Sequence, residues 1–334
     1  MDKSRFEVFA FSFGSSKEDA LRQRVSKAVE HFIDVSGKSD PQIAQLARDM
    51  AVDIAIDLGG HTGDARTGVF ALRAAPIQVN YLGFPGTMGA SYIDYLLCDS
   101  VVCPPGSEAV YSEKIARLPH CFMPHDSTQV ISDRVFTRAE FDLPDKGFVF
   151  CCFNNHYKIN PDVFDIWMRL LQKLPSSVLW LSDASVSIQD KLRQEAAARG
   201  VASQRIVFAR RLERMDEHLA RYRLADLFID TWPYNAHTTA CDALWAGLPV
   251  LTCAGQTFAS RVAASLLTSI GLPELITTSP SNYEATALDL ATQPEKLKGI
   301  GHKLANNRSS APLFDTRQLA NDLGNLLTSL VPQG

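Results

Sequence analysis

Short apolar runs alternate along this chain with longer stretches of mixed polarity. In the first part, Phe6 to Phe13, Val52 to Leu58, Ile77 to Leu82, Tyr92 to Cys98 and Ile115 to Leu118 read as strands, and Ile43 to Met50 reads as a helix. Two of the strand runs end in glycine, at Gly59-Gly60 and at Gly83. Strands alternating with helices predict βαβ units and a parallel sheet.

A second series follows the polar, proline-containing stretch from Phe141 to Gly147. Phe148 to Phe153, Val178 to Leu181, Ile206 to Phe208, Leu227 to Ile229 and Val250-Leu251 read as strands. Asn160-Pro161 opens a helix. Asparagine caps well, proline suits the first helical position, and Asp162 complements the helix dipole. Val163, Ile166, Trp167, Leu170 and Leu174 fall at helical spacing behind it. A helix from about His237 to Trp245 stops at Gly247-Leu248-Pro249. A last one, from Thr316 to Leu330, carries a leucine stripe that needs a partner. The reading is α/β: two doubly wound domains, 1–140 and 141–315, and a terminal helix in 316–334.

Composition narrows the class. The 334 residues are 46% hydrophobic and 21% charged, with a formal net charge of -4. Such a chain buries a core without disulfides or metal. It lacks the basic footprint of a nucleic-acid binder. Its longest apolar runs are strand-sized, so no membrane partner is expected. Seven cysteines, irregularly spaced and without a CxxC, suggest reduced, buried thiols. With no leader pattern at the start, a cytoplasmic protein is expected.

Ligands of open α/β sheets bind beyond the carboxyl ends of strands, which directs attention to four loops. They are Gly59-Gly60-His61-Thr62, Gly83 to Thr87, Asn154 to Lys158, and Thr231 to Thr239. The last leads into a helix start, whose free amides and partial positive charge suit phosphate. Thr238 and Thr239 would add hydroxyl donors there, or one of them would simply cap the helix. Asp242, one turn on, is placed to accept from a ribose hydroxyl. Lys158, between a buried strand and a helix cap, could neutralise a diphosphate, or could be a solvated surface lysine. No Asp-x-Asp occurs, which favours a leaving group stabilised without metal. The glycine fingerprints of dinucleotide and P-loop sites are also missing; Gly83, Gly86 and Gly89 have the wrong spacing for either.

Three stretches together carry a resemblance. They are Asp57 to Thr62 with Phe70 to Gln78 and Leu82 to Thr87; Phe153 to Ile159; and Asn235 to Gly247 with Ser260 to Ser265. In this order the chain resembles the catalytic region of the O-linked N-acetylglucosamine transferases in their bacterial form, and the related SPINDLY-type fucosyltransferases. The resemblance implies a GT-B fold with two facing Rossmann-like domains. It implies UDP-N-acetylglucosamine as donor substrate with no cofactor, inversion at the anomeric carbon, and Ser or Thr hydroxyls of proteins as acceptors. By the same resemblance Lys158 contacts the donor diphosphate, and His237, Thr238 and Thr239 surround the phosphates and sugar. Asp242 binds the ribose, His218 packs on the uracil, Arg221 lies on the uridine side, and Gly83 and Pro85 lie near the donor sugar.

The chain also departs from the family. The βα unit carrying a His-Pro motif, expected before Phe6, is not in this sequence, nor are tetratricopeptide repeats. His61 is then the candidate on the acceptor side. Asn155 stands where well-known members have glutamine, and Met215 where they have lysine. Other readings are a nucleotide-sugar-binding fragment without catalysis, a protein O-fucosyltransferase using GDP-fucose, and a sugar-nucleotide epimerase.

Overall fold

The computed structural model describes residues 2–14 and 19–332. The chain forms two compact units, Met1–Phe122 with Arg317–Gly334, and Met123–Thr316.

The first unit runs β1 (Phe9–Ser12), α1 (Ala20–Ala28), β2 (His31–Asp34), α2 (Asp40–Asp49), β3 (Ile54–Asp57), α3 (Thr67–Ala71), β4 (Ile77–Asn80), β5 (Tyr95–Asp99) and β6 (Lys114–Leu118). All its strand pairs are parallel. β1 and β2 form one small sheet, and β3 to β6 form another in sequence order. Val35, Ile43, Ala44, Ala47, Val69 and Ala74 make a shared core, on which Phe11, Ile33 and Ala55 pack while still partly exposed. β4 ends at a backbone made for close approach. Leu82 takes a left-handed φ of 77°, a conformation that costs a residue with a Cβ about 1 kcal/mol or more. At Gly83 a Cβ would overlap the Leu58 carbonyl, so the loops after β3 and β4 touch main chain to main chain.

The second unit runs β7 (Val149–Cys152), α4 (Pro161–Lys173), β8 (Val178–Ser182), α5 (Val186–Ala198), β9 (Ile206–Ala209), α6 (Met215–Ala220), β10 (Leu227–Ile229), α7 (Thr238–Trp245), β11 (Val250–Cys253), α8 (Val262–Ser269), β12 (Ile276–Thr277), α9 (Pro280–Thr292) and α10 (Pro294–Asn307). Its six strands lie in the order β12-β11-β10-β7-β8-β9. The chain winds outward from β7 to β9, crosses back, and winds outward again from β10. The order reverses between β7 and β10, so the crevice of a doubly wound sheet lies there. β7 and β11 are buried along their whole length, as strands covered on both faces must be. α4 starts as its sequence predicts, with the Asn160 side chain accepting from the Val163 amide at 3.0 Å. Its stripe buries Val163, Ile166, Trp167 and Leu170. Each such side chain removed from water is worth roughly 1.5–3 kcal/mol.

The division between units falls at Met123, not near residue 140, and the stretch 141–147 lies inside the second unit. Phe141 is buried edge-on against Trp180 at 5.4 Å. Arg138 donates to Asp226 at 3.0 Å, and Trp245 donates to the Gln129 carbonyl at 3.0 Å. This strap belongs to the second unit because its aromatic residues complete that core. α11 (Thr316–Leu330) goes with the first unit. Arg5 donates to Asn325 and Thr328 on it, both at 3.0 Å. All seven cysteines are buried.

Candidate active site

The loops after β7 and β10 meet at the point where the strand order reverses, and one buried carboxylate organises both. Asp230, directly after β10, is fully buried. Its Oδ1 accepts from the amides of Thr231 and Ala236, each at 2.7 Å, and from the Asn154 side-chain amide at 3.1 Å. Its Oδ2 accepts from the Thr252 hydroxyl at 2.7 Å. Burial without a paired cation pushes this carboxyl up to about 6, against the pull of those donors.

The turn from 231 to 237 is therefore pinned at both ends, and Lys158 is anchored on it. The Lys158 Nζ donates to the Asn235 carbonyl at 2.9 Å and stands 3.9 Å from the centre of the Tyr234 ring. It is half-buried, not a solvated surface lysine. Burial pushes its ammonium down to about 8, with Asp230 acting the other way. An aromatic face attracts a cation, so the charge is held in place before any ligand arrives.

α7 begins beside this lysine. Its cap residue, His237, makes no side-chain capping bond, so the amides of Thr238 and Thr239 are left to a ligand or solvent. Neither threonine caps the helix. Thr238 is exposed. The Thr239 hydroxyl donates to Asn154 Oδ1 at 2.5 Å. The His237 ring stacks on Tyr234 at 5.1 Å. Burial, aided by Lys158, pushes its pKa down to about 3, so it stays neutral. Asp242 is half-buried on the same helix, and burial pushes its carboxyl up to about 6.

A shelf forms around Phe153, which follows β7. The Arg221 guanidinium lies 4.5 Å from the centre of the Phe153 ring and donates to the Arg210 carbonyl at 2.7 Å, while its buried Nε has no partner. His218 packs on Tyr222 at 5.4 Å and near Phe153 at 6.1 Å. Burial pushes His218 down to about 4, and Arg221 adds to this. The Tyr222 hydroxyl is buried and unpartnered, and it feels Asp242 nearby. Unsatisfied buried polar groups are costly. Two of them gather here, on Arg221 and Tyr222.

The second unit thus brings together Lys158, His237, Thr238, Thr239, Asp242, His218 and Arg221. Asn155 does not join them. It is exposed, and its side chain accepts from the Tyr157 amide at 3.4 Å, within its own turn. The position that enters the network is its neighbour Asn154, at the end of the buried strand. Sequence reasoning passed over Asn154, Asp230, Tyr234 and Tyr222. A polar pair directly after a buried strand, and an acid at the next strand end, were the signals available.

In the first unit, the loops after β3 and β4 hold each other. Asp57 Oδ1 accepts from the Gly59 and Gly60 amides at 2.8 and 3.0 Å. Glu113, buried, accepts from the Thr87 hydroxyl at 2.6 Å and the Met88 amide at 2.5 Å. These bonds fix the Gly83 and Pro85 loop. His61 is exposed, with Nε2 3.0 Å from the Met88 carbonyl. A carbonyl only accepts, so Nε2 carries the hydrogen and Nδ1 of the neutral ring keeps its lone pair. His125 is buried among Trp245 and Phe314 and is structural.

Among the described residues, no cluster of three or more His, Cys, Asp or Glu side chains could hold a metal ion. No helix among them is long and apolar enough to cross a membrane.

Known proteins share this architecture. The model of Glycosyl transferase family 41 matches residues 1–134 and 128–323. The probable UDP-N-acetylglucosamine--peptide N-acetylglucosaminyltransferase SEC of Arabidopsis thaliana is 38% identical over 328 residues, covering 96% of this chain and 34% of that protein. This chain therefore spans about a third of the length of the curated relatives it matches. A mutant O-GlcNAc transferase of Thermobaculum terrenum superposes with a TM-score of 0.87 at 30% identity, covering 98% of this chain and 62% of that one. The Anabaena protein HepE, solved with UDP and glucose, superposes with a TM-score of 0.61 at 13% identity over 96% of this chain and 91% of its own, a likeness of fold alone. The fold is α/β of the GT-B type, and the chain belongs to glycosyl transferase family 41.

Proposed function

We propose that this chain carries an inverting, metal-independent transfer of N-acetylglucosamine from UDP-N-acetylglucosamine to Ser or Thr hydroxyls of proteins. The observation that carries the reading is the meeting of Lys158 with the uncapped start of α7 at the sheet reversal. The named activities of the relatives support the donor and the peptide acceptor.

In this reading the diphosphate lies on the α7 amides, with Lys158 and the Thr238 hydroxyl beside it. The uridine occupies the shelf of His218 and Arg221, and Asp242 accepts from the ribose. An acceptor oxygen forms a bond to the anomeric carbon as the bond to the diphosphate breaks. The electron pair goes to the phosphate oxygens, where Lys158 already sits. A donor fixed in advance at a developing charge is worth about 2.7–4 kcal/mol. His61 takes the acceptor proton on the free lone pair of Nδ1. No resident cofactor is required.

Purified chain incubated with labelled UDP-N-acetylglucosamine and peptide acceptors tests this. Transfer to Ser or Thr is expected. Nucleotide binding with neither transfer nor donor hydrolysis would make the chain a binding module. A thermal-shift panel with UDP, GDP, UDP-N-acetylglucosamine and GDP-fucose separates the donors, since the tightest ligand stabilises most.

A further inference from the structure

The direction of each hydrogen bond between Asp230 and Thr239 is fixed by chemistry. Asp230 Oδ1 already accepts from two main-chain amides, so towards Asn154 it is again an acceptor. Asn154 must turn its amide nitrogen that way, at 3.1 Å. A second contact demands the same orientation. The Thr231 hydroxyl gives its only hydrogen to the Tyr234 carbonyl at 2.7 Å, and so accepts from the Asn154 Nδ2 at 2.8 Å. With the nitrogen committed, the Asn154 Oδ1 faces Thr239 and takes the hydrogen of its hydroxyl. Nothing else in this set can reverse, since the carboxylate and the carbonyl at its ends only accept. Asn154 is fully enclosed, which keeps water from offering an alternative.

We propose that Asp230, acting through Asn154, makes the Thr239 hydroxyl a hydrogen-bond acceptor, so that Thr239 recognises a hydroxyl group of the donor molecule and not its phosphates. The two adjacent threonines then divide the work. Thr238, exposed at the first position of α7, keeps a hydrogen to give to a phosphate oxygen. The Thr239 hydroxyl offers only lone pairs, which phosphate cannot use and a sugar or ribose hydroxyl can. Asp230 and Asn154 are positioning residues in this scheme, and the inference rests on the donor site proposed above.

Calorimetry and competition with three ligands test it: UDP-N-acetylglucosamine, UDP and inorganic pyrophosphate. Thr239→Val is expected to weaken UDP-N-acetylglucosamine about 5- to 20-fold, the loss of one hydrogen bond to a ligand hydroxyl, and to leave pyrophosphate unchanged. Thr239→Ser restores affinity. A loss shared by UDP assigns the ribose as the hydroxyl source; a loss seen only with the sugar nucleotide assigns the sugar. Asn154→Leu removes the oxygen that takes the Thr239 hydrogen, and its effect should not multiply with that of Thr239→Val. Where Asn154→Leu fails to fold, Asn154→Ala decides the same point, because it removes the same oxygen. Equal weakening of pyrophosphate by Thr239→Val, no weakening of any ligand, or multiplying effects in the double variant would each overturn the assignment. Wild-type chain that binds no nucleotide at all would sink the donor site itself, a different result from these.

Discussion

The two units carry loops at equivalent places, beyond the carboxyl ends of parallel strands, but hold them differently. In the second unit the loops after β7 and β10 hang on Asp230, a carboxylate with no access to water. In the first, the loops after β3 and β4 hang on Asp57 and Glu113 and present an exposed His61 and Leu58. The strands beneath differ in the same sense. β7 is buried throughout, whereas β1 is only partly buried along its length. A site that must hold a polyanion gains from charges fixed in a dry setting, where electrostatics is strong. In the proposed reaction, a site that admits varied protein chains would gain from an accessible one.

The sharpest test of that contrast is mechanical. Trp167→Ala, in the core under β7, should cost about 3–5 kcal/mol. Phe11→Ala, on partly exposed β1, should cost nearer 1 kcal/mol. Denaturant unfolding of both variants measures the gap, and equal losses would erase the distinction between the units.

Next in size is the fixed charge. Lys158→Met should lower kcat roughly 10²- to 10³-fold while leaving Tm unchanged or higher. The sign follows from burial. The folded ammonium sits at about 8, below its ordinary 10.5. Keeping it charged therefore costs stability below pH 8, a cost that fades as pH rises towards 10.5. A neutral side chain of similar length removes that cost. A large fall in Tm would make Lys158 a structural residue.

His61→Ala should lower transfer about 10²-fold or more, with the dissociation constant for UDP-N-acetylglucosamine untouched. Weakened donor binding would move His61 out of its acceptor-side role. The smallest effect concerns pH. Donor affinity should decline above pH 8, by up to about tenfold per unit, as free Lys158 loses its proton. It should also soften below pH 6 as Asp242 gains one. Titrations of the dissociation constant from pH 5 to 9.5 read both limbs.

Much of the second unit is legible in the sequence, because strands buried on both faces appear as unbroken apolar runs. Helices that bury little do not announce themselves. α5 encloses only Ala196 and leaves Val186 exposed, so its pattern carries no helical stripe. α1, with no buried residue, and the half-exposed β2 were silent for the same reason. At the site, Lys158, Thr239 and Asp242 are visible because charge and hydroxyl at a helix start have a local meaning. Asp230, Asn154 and Tyr234 are not, because their roles depend on partners more than seventy residues away. The difference between Asn154 and Asn155 depends on which of two adjacent side chains turns inward, and tertiary packing decides that.

The first unit's parallel strands lie in two separate ribbons. Among the described residues β1, β2, β3 and β6 each border a sheet, against β9 and β12 in the second unit. A bordering strand exposes a row of unpaired amides and carbonyls that another chain can zip onto. Concentrated solutions of this chain should therefore self-associate through its amino-terminal half, and charged substitutions on β1 should restore solubility where the same changes on β9 would not.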